Sequence, residues 1–252
     1  MNLVDVHAHL DFPEFEDLKP FISRAEEAGV KKIIANGVNP KSNRKVLELS
    51  KKYDLVNPAL GLYPDDIYTF SLEELNQEIN WIKKNKPVAF GEVGLDHKFL
   101  ADEKKIDWKK SLQKQIFQRF IEISEKTKKP LIIHSRKAEK EVLDMLDSSN
   151  VKNPILHCFM GKKKLVKRAA DSGYIFSVLP IVDRLQQIRE LVKYTNINQL
   201  LTETDAPYMS PNEKINEPAN VMVAVKEIAK LKGFDVEETA NSIFMNYKKI
   251  FK

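Results

Sequence analysis

The sequence predicts an α/β fold of the (β/α)8 TIM-barrel type, in a single domain over residues 1–252. Three observations carry the prediction. Short apolar runs alternate with helical patterns along the whole chain, which argues for a parallel sheet covered by helices. No stretch rich in Gly, Ser or Pro divides the 252 residues, and that length suits one closed barrel. Five of the apolar runs end in histidine, glutamate or aspartate, and barrel active sites form at the C-terminal ends of the strands.

The elements follow in order. Leu3-Val4-Asp5-Val6-His7-Ala8-His9 reads as a short buried strand. Leu18 to Gly29 carries a helical pattern that stops at glycine, a usual helix end. Lys32 to Val38 is a strand, Pro40 to Tyr53 a helix, and Leu55 to Leu62 a strand. Ser71 to Lys84 is a helix, with Ser71 as its cap and Glu74 placed for a capping box. A fourth strand ends at Glu92, and a longer loop leads to a helix from about Ile106 to Thr127. The fifth strand ends at His134, with a helix over about Ala138 to Leu146, and the sixth ends at His157, with a helix over about Lys163 to Ser172. Tyr174 to Val178 is the seventh strand and Val182 to Tyr194 its helix. The eighth strand ends near Asp205, and its helix covers about Pro218 to Lys232.

Composition narrows the class. A hydrophobic share of 42% supports a sizeable core. No apolar run approaches the ~18 residues that span a membrane, and the chain enters a strand at once with no leader pattern. The single cysteine, Cys158, excludes an internal disulfide and fits a reducing cytoplasm, the expected location. It is read as a packing residue. The net charge of +5 permits an anionic partner without establishing one. Pairs such as Lys31-Lys32, Lys51-Lys52 and Lys248-Lys249 are expected on solvated faces.

The chemistry is carried by the strand ends. His7 and His9, two apart on a strand, face the same side. Packing gives no reason for two imidazoles there, whereas metal binding does. Glu92, His134, His157 and Asp205 complete the set. Four imidazoles and two carboxylates exceed what one tetrahedral ion with an open position needs. They suit two divalent ions roughly 3.5–4 Å apart that share a carboxylate. The mixed nitrogen and oxygen donors fit Mg, Mn, Zn, Ni or Co and do not fix the metal.

Other residues have competing readings. Arg136, two past His134, is expected further toward the barrel mouth, where a guanidinium clamps a phosphate or forms a structural ion pair. Glu203 lies deeper than Asp205 and is expected to accept from a metal-bound imidazole; a buried ion pair is the alternative. Asp205 is placed to ligate a metal and to take the proton from the attacking water. Lys162, Lys163 and Lys164 read as a solvated helix start rather than a phosphate site. His97 reads as a surface or loop residue, Asp96 as either a turn former or a substrate contact, and Asp5 has no assigned role.

Five motifs occur in a fixed order: Asp5-Val6-His7-Ala8-His9-Leu10, Gly91-Glu92-Val93-Gly94-Leu95-Asp96, Ile133-His134-Ser135-Arg136, His157-Cys158-Phe159-Met160-Gly161 and Glu203-Thr204-Asp205-Ala206-Pro207-Tyr208. In this the chain resembles the TatD-type metal-dependent deoxyribonucleases, within the amidohydrolase-like barrel hydrolases. The resemblance runs from residue 3 to the closing pattern with Asn246 and Phe251. It implies that His7, His9, Glu92 and Asp205 hold one ion and that Glu92, His134 and His157 hold the other. It also implies a glutamate bridge, since strand four offers Glu92 and no lysine. One departure stands out: where the family commonly has Gly-x-His-Pro after strand three, this chain has Gly61-Leu62-Tyr63-Pro64. Tyr63 lacks a cation for phosphate but can donate a hydrogen bond to substrate or stack on a base. The segment after Pro207 is also shorter than in many members.

The expected function is therefore two-metal hydrolysis of DNA phosphodiester bonds, acting exonucleolytically, with Asp205 and Glu92 as catalytic residues and two divalent ions per chain. The alternatives are a metal-dependent hydrolase of a small ester, amide or lactone, and a nucleic-acid binding protein with a structural metal site. DNA is the expected partner; no membrane or protein partner is expected, and oligomeric state stays open.

Overall fold

Eight short, largely buried segments, in a computed structural model, form eight parallel strands. They are β1 (Leu3–Ala8), β2 (Val30–Asn36), β3 (Val56–Leu60), β4 (Ala89–Gly94), β5 (Leu131–His134), β6 (Ile155–Leu156), β7 (Ile175–Val178) and β8 (Leu200–Thr202). The structure describes residues 1–98, 100, 106–212 and 214–251. The strands pair in sequence order from β1 to β8. β1 and β8 then meet at the seam: Asp205 N–H donates to the His7 carbonyl at 2.8 Å, His9 N–H to the Ala206 carbonyl at 2.7 Å, and the Thr202 hydroxyl to the Val4 carbonyl at 2.6 Å. A single bridge, Ala8 to Ala206, completes a nearly closed barrel. Strands covered on both faces by packed layers favour near-continuous apolar runs; β1, β4 and β7 are buried throughout, with Asp5, His7, Glu92 and Ser177 as buried polar exceptions.

Among the described residues the outer layer has nine helices: α1 (Lys19–Glu27), α2 (Pro40–Lys52), α3 (Leu72–Asn85), α4 (Ile106–Thr127), α5 (Glu139–Asp147), α6 (Lys163–Asp171), α7 (Gln186–Tyr194), α8 (Val221–Lys232) and α9 (Val236–Ile250). The capping box predicted at α3 is present: Glu74 N–H donates to the Ser71 hydroxyl at 3.2 Å, and Ser71 N–H to the Glu74 carboxylate at 2.7 Å. Two predicted helices are shorter than expected, because Val182–Arg184 and Pro218–Asn220 are 3-10 turns ahead of α7 and α8. The loop before α4 includes residues 99 and 101–105, which lie outside the described residues.

The sequence reading ended the helices at Lys232 and so missed α9. Its signals were present. Asp235 caps it by accepting from the N–H groups of Glu237 and Glu238. Ala240, Ile243, Tyr247 and Ile250 recur on one face and are buried. That face packs on β1 and β8, so α9 covers the seam from outside. Among the described residues no helix is long and apolar enough to cross a membrane.

The strand ends differ in detail from the prediction. β4 runs past Glu92 to Gly94, whereas β6 stops at Leu156 and β8 at Thr202. Gly94 has φ +141°, and a Cβ there would lie 2.0 Å from the His134 carbonyl oxygen, so β4 and β5 reach their close approach only with glycine. Cys158 and Asp205 adopt left-handed backbone, with φ +42° and +58°. That turn breaks the two-residue alternation just where ligand-type side chains leave the strands.

Candidate metal centre

Six side chains expected at the mouth converge there. His7 and His9 leave β1 with their Nε2 atoms 3.2 Å apart. Glu92 Oε2 lies 3.5 Å from each of them. Asp205 Oδ1 lies 3.6 Å from His7 Nε2 and 3.5 Å from His9 Nε2. The other Glu92 oxygen, Oε1, faces away, 2.7 Å from His134 Nδ1 and 3.8 Å from His157 Nε2. Glu92 thus has one oxygen in each of two donor groups.

Zinc–nitrogen bonds of about 2.0–2.1 Å in a tetrahedron put neighbouring ligand atoms about 3.3–3.4 Å apart. The 3.2 Å between the two imidazoles, and the 3.5–3.6 Å from these imidazoles to Glu92 and to Asp205, match that spacing. In the second group, ligand atoms of Glu92, His134 and His157 all lie within 4.8 Å of one another. The residues present therefore fit divalent metal. A further grouping of His7, His157 and Glu203 has the same spacing, but its Glu203 oxygens are already engaged in hydrogen bonds.

Those bonds set the presentation of the imidazoles. His157 Nδ1 donates to Glu203 Oε2 at 2.8 Å, which leaves Nε2 facing Glu92 as the atom that presents a lone pair once its proton is displaced. Glu203 also accepts from the Cys158 N–H at 2.9 Å and the Ser177 hydroxyl at 2.5 Å. His9 is held by its other nitrogen, with Nδ1 3.2 Å from the Asn36 carbonyl. His134 is turned the opposite way: its Nε2 lies 2.9 Å from Asp96 Oδ2, so Nδ1 points inward. The Tyr63 hydroxyl donates to the same Asp96 oxygen at 3.0 Å and lies 3.5 Å from His134 Nε2. Tyr63 is thus half-buried in the network that orients His134.

Three of these orienting residues were missed by sequence reasoning. Asp96, expected to turn the loop or to touch substrate, does turn the loop by accepting from Lys98 N–H at 2.8 Å, and with its other oxygen it also meets His134 Nε2. Asn36 is a fully buried polar residue at the end of β2, and the strand-end rule that found the ligands would have flagged it. Asp5 accepts from His7 N–H at 3.1 Å, from Thr204 N–H at 3.0 Å and from the Thr204 hydroxyl at 2.5 Å. It ties the strand bearing His7 to the segment bearing Asp205. Nothing local signals a contact between residues 199 apart.

Of the remaining expectations, Arg136 is exposed near the rim, close enough for its charge to act on Tyr63 and Cys158. Lys162, Lys163 and Lys164 are exposed at the start of α6, and the Lys163 ammonium sits over the Tyr194 ring at 4.6 Å. His97 lies in the loop after β4, which fits the loop reading, but not at the surface. Its side chain is only 6% exposed, with Nδ1 3.8 Å from the Glu141 carboxylate of α5.

Charge in the centre is strongly coupled. Burial alone would raise Glu92, but the imidazoles of His7 and His134 outweigh it and hold the carboxyl well below its usual range. Asp205 is likewise raised by burial and lowered further by His9, His157 and His7. Burial and the adjacent His157, stacked at 3.7 Å, push His7 down despite Glu92. His157 moves the other way: burial lowers it, but Glu203, Asp205 and Glu92 raise it to about 10. The carboxylates are ready as anionic ligands, and metal must displace protons from some of the imidazoles.

Known proteins agree with this picture. The human deoxyribonuclease TATDN3 is 30% identical over 262 residues, covering 100% of this chain and 95% of its own. An uncharacterized metal-dependent hydrolase of Methanocaldococcus jannaschii, MJ1582, is 32% identical over 256 residues, covering 100% and 98%. The crystal structure of YJJV, a TatD homologue of Escherichia coli K12, superposes with a TM-score of 0.88 at 26% identity, over 99% of this chain and 97% of that one. The family model described as TatD related DNase matches residues 4–252. A nearly closed barrel, a buried cluster of histidine and carboxylate donors at its mouth, and relatives matched over nearly their whole length lead to one conclusion: the chain belongs to the TatD family and is a metal-dependent hydrolase.

Proposed function

We propose that this hydrolase cleaves DNA phosphodiester bonds, exonucleolytically, with two divalent ions per chain. The observation that carries the reading is Glu92. Its two oxygens belong to different donor groups, with His7, His9 and Asp205 on one side and His134 and His157 on the other. A single-ion site has no use for a carboxylate divided in this way. The name and the full-length match of human deoxyribonuclease TATDN3 support DNA as the substrate.

Bound divalent ions, whether Mg, Mn or Zn, supply Lewis-acid activation of water and charge stabilisation at the phosphoryl oxygens. The chain supplies the rest. His7 and His9 would offer their Nε2 lone pairs, the His9 ring held through Nδ1 by the Asn36 carbonyl, and Glu92 balances charge between the two groups. Asp205, held ionised by the surrounding imidazoles, accepts the proton of the attacking water. Its left-handed backbone turns the carboxylate back toward His7 and His9. Arg136 at the rim holds a neighbouring phosphate through charge-assisted hydrogen bonds. Asp96 and Tyr63 fix the ring of His134, and Glu203 fixes that of His157.

The test is turnover of single-stranded DNA, duplex DNA, RNA and a panel of small esters, amides and lactones by metal-loaded protein, with elemental analysis alongside. Mononucleotide release from DNA and about two ions per chain are expected. Turnover confined to the small substrates, or full activity in metal-stripped protein, overturns the reading.

A further inference from the structure

Large apolar side chains exposed to water are informative when they cluster beside a polar site. Tyr208 is 51% exposed, Met209 37% and Ile215 48%, all in the loop that follows Asp205. Tyr208 is linked to the candidate metal centre through rings. The Phe12 ring stacks on the His9 imidazole at 4.9 Å and 21°, and Tyr208 meets Phe12 edge-on at 5.9 Å.

The loop that carries Tyr208 is pinned. Tyr208 N–H donates to the Asp205 carbonyl at 2.9 Å. The fully buried Asn216 donates from Nδ2 both to the Tyr208 carbonyl at 2.6 Å and to the Thr204 carbonyl at 2.7 Å. The aromatic ring is therefore exposed on a backbone fixed at two points, and fixing it in advance removes much of the ordering cost of binding. A nucleotide presents matching surfaces: a charged phosphodiester and, one sugar away, a flat base that stacks on aromatic rings.

We propose that Tyr208, with Phe12 behind it, is a stacking platform for the base adjacent to the phosphate at the metal centre. This rests on the reading of the enzyme as a deoxyribonuclease. The platform would not discriminate among bases, since each has a π face. It would favour single-stranded ends, whose bases are free to leave their neighbours and stack on protein.

The test compares wild type with Tyr208→Ala and Tyr208→Phe. The substrates are a single-stranded oligonucleotide and one of equal length with abasic residues at both ends. Phe234→Ala, at an exposed apolar residue after α8, is the control. On the ordinary strand, Tyr208→Ala is expected to raise KM roughly tenfold, the order of one lost stack, with kcat and metal content unchanged. Tyr208→Phe keeps the ring and restores KM. On the abasic strand wild type and Tyr208→Ala behave alike. Equal KM values for wild type and Tyr208→Ala on the ordinary strand overturn the platform and leave the nuclease reading standing. An equal loss on both strands makes Tyr208 structural and also overturns it. A wild-type enzyme that turns over neither strand overturns the nuclease reading, and the platform with it.

Discussion

Glu203→Gln isolates the contribution of one buried carboxylate to the second donor group. Glu203 is fully buried and uses both oxygens: Oε1 accepts from Cys158 N–H at 2.9 Å, and Oε2 from His157 Nδ1 at 2.8 Å and Ser177 Oγ at 2.5 Å. Glutamine keeps the shape but has one acceptor. If its oxygen replaces Oε2, its amide faces the Cys158 N–H, donor against donor. If its oxygen replaces Oε1, its amide donates to His157 Nδ1, which moves the imidazole proton to Nε2 and blocks the lone pair facing Glu92. Either orientation leaves a buried donor poorly satisfied, at a cost of about 1–3 kcal/mol. Each kcal/mol lowers Tm by about 2–4 °C in a chain of this length. Loss of a partner that orients a metal-bound imidazole lowers metal affinity by roughly 10–100-fold. The assay is calorimetric titration of metal-stripped protein with Mn, alongside thermal unfolding of the metal-free form. The expected result is a weakened second binding event, an unchanged first one and a lower Tm. Wild-type affinity for both ions with an undiminished Tm would refute the assignment of Glu203 as the residue that orients His157.

Three further outcomes are expected. Asp205→Asn keeps one ligating oxygen but cannot accept a proton at neutral pH, so turnover falls at least ~100-fold while DNA binding persists; near-normal turnover at full metal occupancy would place the base elsewhere. In metal-free protein His157 is raised from an ordinary 6.5 to about 10, so its contribution to stability is complete below pH 6.5 and is lost as pH rises through about 10. Metal binding near neutrality should then release protons and weaken as pH falls, and calorimetry in buffers of different ionisation enthalpy checks this. Arg136→Ala should raise KM for DNA and reduce the slope of log binding constant against log salt by about one, with metal content unchanged; loss of metal instead would make Arg136 structural.

What the sequence determined by itself was local and periodic. Apolar runs bounded by turns gave the eight strands, and scarce histidines at strand ends gave the donor set. Ser71 with Glu74 marked a helix start that the structure contains. These signals survive because strand alternation, helix period and capping each act within a few residues. Tertiary structure decided what depends on barrel register. It set which oxygen of Glu92 faces which group, the contact of Asp5 with Thr204 across 199 residues, and the turning of His134 by Asp96 and Tyr63. It also placed α9 over the seam between β1 and β8. The alternation rule failed just past the strands, at Cys158 and Asp205, where left-handed backbone replaces the pleat. The physical reason is range: a side chain's identity is fixed by sequence, but its hydrogen-bond partner at a barrel mouth comes from whichever strand closure brings alongside it.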